Sequence, residues 1–138
     1  MLPKAARMRS AGEFRAAVRS GIRTGRPTLV VHATSVADDQ VKVGFVVSKG
    51  VGNAVARNRV KRRLRHLCRT ELATAPGGTR IVVRALPRAA SSSHELAMDL
   101  SRAWAKALER VRQRELGSPR PAGREMSSSG PASARAGT

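Results

Sequence analysis

Between Asp39 and Glu71 the chain carries no acidic residue, and the middle of that gap is crowded with cations. Arg57, Arg59, Lys61, Arg62, Arg63, Arg65 and Arg69 all fall between Val55 and Arg69. Asn53 stands just ahead as an N-cap, and the spacing predicts a helix over 54–73. At about 100° per residue, Ala56, Val60, Leu64 and Leu67 share one narrow stripe. Asn58, Lys61, Arg62, Arg65 and Arg69 cluster on the opposite side, with Arg57 and Arg63 flanking the stripe. A solvated helix gains stability by alternating Glu with Lys at i,i+4. This one repeats like charge through Arg57, Lys61 and Arg65, which destabilises it in isolation. The stripe is therefore expected to dock on a sheet while the broad face meets a polyanion. With about six phosphate contacts, log K should fall with log salt at a slope of about −4 to −5.

The whole chain shares this bias. Its 138 residues hold 27 Lys and Arg against 9 Asp and Glu, a net charge of +18. That excess gives an isolated globule only self-repulsion, so RNA, DNA or an anionic membrane is the natural class of partner. Length predicts a single domain. Aromatics are limited to Phe14, Phe45 and Trp104, so the core must come from Val, Leu, Ile and Ala. Cys68 is the only cysteine, which removes an intrachain disulfide and a cysteine-cluster metal site. No run approaches the ~18–20 apolar residues of a membrane span, and Met1 to Arg9 lacks the apolar core of a signal peptide. A reduced, cytoplasmic protein is expected.

Flanking patterns frame the basic segment. Ser10 to Glu13 has capping-box spacing, followed by Phe14, Ala17 and Val18 at helical intervals and a stop at Gly21. Leu29 to Thr34 is β-rich. Val36 to Gln40, centred on Asp38-Asp39, is expected to be a hairpin connection. In the next strand Val41, Val43, Phe45 and Val47 alternate with Lys42, Gly44, Val46 and Ser48. A further strand is expected at Arg80 to Ala85. A second capping box at Ser92 to Glu95 opens an amphipathic helix through Leu96, Leu100, Ala103, Trp104, Ala107, Leu108 and Val111. Trp104 is expected in the core, as is Cys68. The predicted order is α-β-β-α-β-α. Residues 1–7 are expected to be a flexible lead, 8–114 the single folded domain, and 115–138 a disordered basic Gly/Pro/Ser-rich tail.

No catalytic constellation accompanies these elements. His32, His66 and His94 fall on three separate elements, and Asp38-Asp39 is the only adjacent acidic pair. Phosphodiester hydrolysis needs metal-held carboxylates or a positioned acid–base pair. Gly50-Val51-Gly52 fails as a dinucleotide fingerprint because Val55 sits where the third Gly belongs. The expectation is no catalytic residue and no protein metal ligand.

Val43-Gly44-Phe45-Val46-Val47-Ser48-Lys49, then Gly52-Asn53-Ala54-Val55, then Arg57-Asn58-Arg59-Val60-Lys61-Arg62 closely resembles the protein subunit of bacterial ribonuclease P. The resemblance begins at Glu13-Phe14 and reaches the last helix. It implies an α/β (α+β sandwich) fold, a small mixed sheet packed by helices. The arrangement is ribosomal protein S5 domain 2-like, with a left-handed βαβ crossover carrying the basic helix. It implies two partners, a catalytic RNA and the precursor tRNA whose 5′ leader that RNA removes. Arg57, Asn58, Arg59, Lys61, Arg62, Arg65 and Arg69 are then the catalytic-RNA-binding positions. Phe14, Val18, His32 and Lys49 are the leader-binding positions. Many members carry aromatics where this chain has Val18 and His32, so leader contacts should rely more on charge and shape. Mg²⁺ is the implied cofactor, held mainly by RNA, with no obligate protein partner and no membrane association.

Other classes make different demands. A ribosomal or general structural RNA-binding protein would share the charge without a processing role. A DNA-binding protein reading the major groove would need a helix-turn-helix partner upstream, where a strand and glycines stand instead. A membrane-surface role suits a broader apolar stripe than this one.

Overall fold

The computed structural model describes residues 4–117. Three helices, α1 (Ala11–Ser20), α2 (Ala54–Glu71) and α3 (Ser93–Gly117), surround four strands. These are β1 (Ile22–Gly25), β2 (Leu29–Ser35), β3 (Lys42–Val47) and β4 (Thr79–Ala85). Spatial order in the sheet is β1-β2-β4-β3. β1/β2 and β2/β4 are antiparallel, and β3/β4 is parallel. A parallel pair cannot be closed by a tight turn and needs a crossover of a dozen or more residues. Here α2 is the crossover, so the mixed α+β architecture holds the basic helix against the sheet.

The expected hairpin at Val36 to Gln40 does not form. β4 lies between β2 and β3, and its leading turn takes the loop's backbone hydrogen bonds. The Val36 amide donates to the Gly78 carbonyl and the Gly78 amide to the Gln40 carbonyl, both at 2.8 Å. β1 was not expected either, because a four-residue edge strand holding Arg23 and Thr24 shows too little alternation to read. The N-terminal boundary also falls earlier than Met8. Lys4–Ala6 forms a 3₁₀ turn, Ala6 is buried, and Arg7 bridges to Val43. α3 continues past Arg114 to Gly117, and the rest of the predicted tail, 118–138, lies outside the described residues.

Register assigns the two sheet faces. Thr24, Val31, Val83 and Phe45 align across the strands, as do Ala33, Ile81 and Val43. This face meets Val60, Leu64 and Cys68 of α2 and Leu96, Leu100, Ala103, Trp104 and Ala107 of α3, forming the main core. Burial pushes the Cys68 thiol pKa up, and the Glu71 charge adds to the effect, which suits a packing residue. Trp104 is fully buried, and its indole N–H donates to Thr74 Oγ1 at 3.0 Å. The other face carries a small cluster of Met8, Ala17 and Val82, with Phe14 packed against it. Gly21 ends α1 through close approach, since a Cβ there would strike the Ala17 and Ala33 carbonyl oxygens.

Caps hold the helices as their spacings suggest. Ser10 Oγ accepts from the Gly12 and Glu13 amides, Asn53 Oδ1 from the Ala56 amide at 2.9 Å, and Ser92 Oγ from the Glu95 amide. Glu13 does not complete its box; its carboxylate pairs with Lys42 and Arg80, each at 3.7 Å. α3 is tied to the β1–β2 turn by Asp99, which is 4% exposed. Its Oδ2 accepts from the Thr28 amide at 3.1 Å and hydroxyl at 2.7 Å, and its Oδ1 accepts from Arg26 Nε. Burial alone would raise the Asp99 pKa. The Thr28 donors and the Arg26 guanidinium outweigh it and hold the carboxyl below its ordinary value. Asp99→Ala would orphan the buried Thr28 amide. It should cost about 2–4 kcal/mol, measured by denaturant unfolding with Trp104 fluorescence, with a smaller loss for Asp99→Asn.

Candidate nucleic-acid interface

The interface begins with what the narrow stripe of α2 leaves outside. Val60, Leu64 and Cys68 are buried and Ala56 and Leu67 half-buried, so the helix rests on the sheet along one side. Arg57, Lys61 and Arg65 are half-buried along one flank, where Arg57, Asn58 and Lys61 border Val47 of β3 in a small recess. Arg59 and Arg63 are exposed on the other flank, beside Ala89, Ser93 and Leu96. Asn58, Arg62, His66 and Arg69 are exposed on the outward side. The predicted basic positions thus form one continuous surface, although Lys61 and Arg65 lie closer to the sheet than an opposite-face placement implies.

These cations have no counter-ions among the described residues. Among the described residues the ion pairs are Arg26–Asp99, Lys42–Glu13, Arg80–Glu13, Arg80–Asp38 and Arg88–Glu95. None involves α2. The Nε atoms of Arg57 and Arg65 are buried without a hydrogen-bond partner among the described residues. Arg80 shows the contrast. It is 7% exposed and occupied by Glu13, Asp38 and the Gln40 carbonyl, so it serves structure and offers a ligand little.

Gly52 positions the N-terminus of α2. Its φ of 152° with ψ of −163° lies in a region essentially restricted to glycine. A Cβ there would also crowd Ala56 at 2.9 Å. The sharp turn it allows brings the chain from β3 through the Lys49–Val51 3₁₀ turn straight into the Asn53 cap.

A second surface lies on the sheet face that α1 only partly covers. Gly44, Val82, His32 and Arg23 form one row across the strands, and Val46, Arg84, Val30 and Gly25 the next. Phe14 lies over Gly44 so closely that a Cβ at Gly44 would collide with its ring. Val18, one turn on, is 42% exposed, and Val46 is 37% exposed. Phe14, Val18 and His32 therefore border one apolar, cation-edged groove. Lys49 does not join them, standing on the turn after β3 next to the Pro87–Ala90 turn. Sequence reasoning missed Val46, Arg84 and Arg23 as groove residues. For Val46 and Arg84 the available signal was strand alternation, which sets them on the face opposite Phe45 and Val83.

The His32 side chain is 5% exposed, and its Nδ1 has no hydrogen-bond partner among the described residues. Burial lowers its pKa, and the charges of Arg23 and Arg84 lower it further. Among the described residues, no group of three or more His, Cys, Asp or Glu is placed to hold a metal ion. None of the described helices is long and apolar enough to cross a membrane.

A cationic helix without acidic partners among the described residues, clamped to one face of a mixed sheet whose other face is only partly covered by Phe14 of α1, defines a nucleic-acid-binding α+β protein. Comparison with known proteins names the kind. The family model described as Ribonuclease P matches residues 2–108. The ribonuclease P protein component of Nocardioides sp. is 56% identical over 106 residues, covering 74% of this chain and 91% of that protein. Its counterpart in Streptomyces avermitilis is 50% identical over 118 residues, covering 78% and 96%. The solved structure of the Staphylococcus aureus RNase P protein matches with a TM-score of 0.69 at 26% identity, covering 76% of this chain and 99% of that one. The Thermotoga maritima RNase P protein shares the fold, with a TM-score of 0.61 at 24% identity over 75% and 96% of the two chains. The chain belongs to the ribonuclease P protein family.

The lowered His32 pKa has a consequence for the free protein. Between the folded value and the ordinary value of about 6.5, the unfolded chain binds more protons than the folded one. Stability should rise with pH across that window and level off above it. Denaturant unfolding between about pH 5 and pH 8 should show this rise, and His32→Gln should remove it. A difference curve that stays flat would contradict the burial of a neutral His32.

Proposed function

We propose that the protein works as the protein subunit of ribonuclease P in the cytoplasm, binding the catalytic RNA and the 5′ leader of precursor tRNA. The observation that carries this is the uncompensated face of α2, in a chain of this family. Arg57, Asn58, Arg59, Lys61, Arg62, Arg65 and Arg69 neutralise a crowded phosphate region of the catalytic RNA. Guanidinium groups suit this because their planar donors match phosphate oxygens in pairs. The groove over β2, β4 and β3 takes the single-stranded leader. Phe14 offers a stacking surface, and Val18, Val46 and His32 shape its walls. Stacking on an aromatic is worth about 1–3 kcal/mol per base, and with one ring available the flanking Arg23 and Arg84 carry more of the grip. Lys49 meets the leader, on this reading, where it leaves the groove toward α2.

The protein contributes charge and shape, and hydrolysis of the phosphodiester belongs to the RNA. Mg²⁺, which the reaction requires, is held mainly by RNA phosphates on this reading. By lowering phosphate repulsion, α2 reduces the Mg²⁺ concentration needed for productive substrate binding. The leader groove adds affinity for precursor over mature tRNA, which limits competition by product.

Cleavage of a precursor tRNA at low Mg²⁺ tests this with protein alone, a bacterial ribonuclease P RNA alone, and the two together. Cleavage at the mature 5′ end only in the combined sample is expected. Tight RNA binding without stimulation would indicate a structural RNA-binding protein instead. Arg59→Ala with Arg62→Ala should weaken assembly and flatten the salt slope by about 1.5–2. An unchanged slope would move the interface away from α2.

A further inference from the structure

At the β1 edge of the sheet, away from β3, lies a recess of about 200 Å³ that shares only Arg23 with the surfaces above. Arg23, Thr24 and Arg26 border it on one side, and Arg102, Lys106 and Arg110 of α3 on the other. The three α3 residues recur at i, i+4 and i+8, a like-charge ladder covering about 12 Å. That length matches several nucleotides at about 3.4 Å of rise each. Of these cations only Arg26 has an acidic partner among the described residues, and that partner is the buried Asp99. The nearby acids of α3, Glu109 and Glu115, line a different cavity with Arg112 on the far flank of the helix.

A second observation comes from the wall of the recess. Thr24 is 6% exposed, and its Oγ1 is buried with no hydrogen-bond partner among the described residues. A buried hydroxyl is normally satisfied, so a free one beside five cations is poised for an acceptor that arrives with a ligand. Thr24 aligns with Val31 and Val83, on the sheet face opposite His32. The Thr24 wall of the recess therefore faces away from the leader groove, with Arg23 at the edge between them, and β2 and β4 separate its strand from the one beside α2.

We propose that this recess is a second RNA-backbone site. One phosphate sits against Thr24 and accepts its hydroxyl proton in a hydrogen bond, and the adjoining phosphates meet Arg102, Lys106 and Arg110. The ligand class is a ribose–phosphate strand, and the site rests on the RNA-binding reading above. Two backbone sites on opposite edges let one small domain brace two separate strands of a folded RNA, each raising the effective concentration of the other.

The test uses the full chain and a bacterial ribonuclease P RNA. Arg102→Gln, Lys106→Gln and Arg110→Gln are combined; all three side chains are exposed, and Trp104 fluorescence checks the fold. The combined variant should flatten the salt slope by about 2–3 and lower affinity about tenfold or more. Thr24→Val should weaken binding about fivefold and leave the slope unchanged, because the hydroxyl carries no charge. Position is tested independently by an iron chelate tethered through Lys106→Cys or through Arg62→Cys, since the buried Cys68 is shielded from labelling. Strand cuts from Lys106→Cys should fall at nucleotides different from those cut from Arg62→Cys. An unchanged slope and affinity, no cuts from the Lys106→Cys site, or cuts at the same nucleotides would each overturn the second site. If the wild type still stimulated precursor cleavage, the proposed function would survive that result. Failure of the wild type to bind the RNA at all would overturn both.

Discussion

Parallel pairing of β3 with β4 is the constraint on which the rest of the molecule depends. Two parallel neighbours cannot be joined by a hairpin, so 31 residues' worth of connection, from Ser48 to Gly78, must leave the sheet and return. α2 fills that connection and is pressed along the sheet by Val60, Leu64 and Cys68. A helix of repeated like charges would be marginal alone. Covalent tethering at both ends and burial of one stripe offset the repulsion, and the charge remains available for a partner.

The arginines divide by what surrounds them. Arg80 is enclosed by Glu13 and Asp38, Arg26 is held by Asp99, and Arg88 by Glu95. Arg114 donates to the Ser20 carbonyl at 2.8 Å and ties α3 back to α1. These cations hold the fold together. Those of α2, and of the α3 ladder facing β1, have no acidic partner among the described residues. A chain with 9 acids to 27 bases cannot neutralise every patch. Among the described residues, two of the uncompensated groups, on α2 and on the α3 ladder, lie toward opposite edges of one sheet.

The groove between those edges depends on small residues as much as on aromatic ones. Gly44 lets Phe14 settle on the strand, which keeps α1 low on one end of the face and leaves Val46 and Arg84 uncovered. Open sheet surface is ordinarily a liability. Here Arg23 and Arg84 stand at its margins.

Much of this was legible in the chain itself. The three helices, their caps at Ser10, Asn53 and Ser92, the inward Phe45 and Trp104, and the cationic face of α2 follow from periodicity and spacing. Those are local properties, set by 3.6- and 2-residue repeats and by side-chain acceptors within three residues of an amide. Which strands are neighbours is not local. The Val36 to Gln40 loop has every mark of a hairpin, yet its amides and carbonyls find partners in Gly78, about forty residues on. Strand order then decides which residues share a groove: Arg23 beside His32, Arg84 near Val46, and Thr24 opposite the α3 ladder. The sequence determined how much charge there is and on which helix face it lies. Tertiary structure alone decided which cations are consumed by Glu13, Asp38 and Asp99, because ion pairing and burial act across space, between residues far apart in the chain.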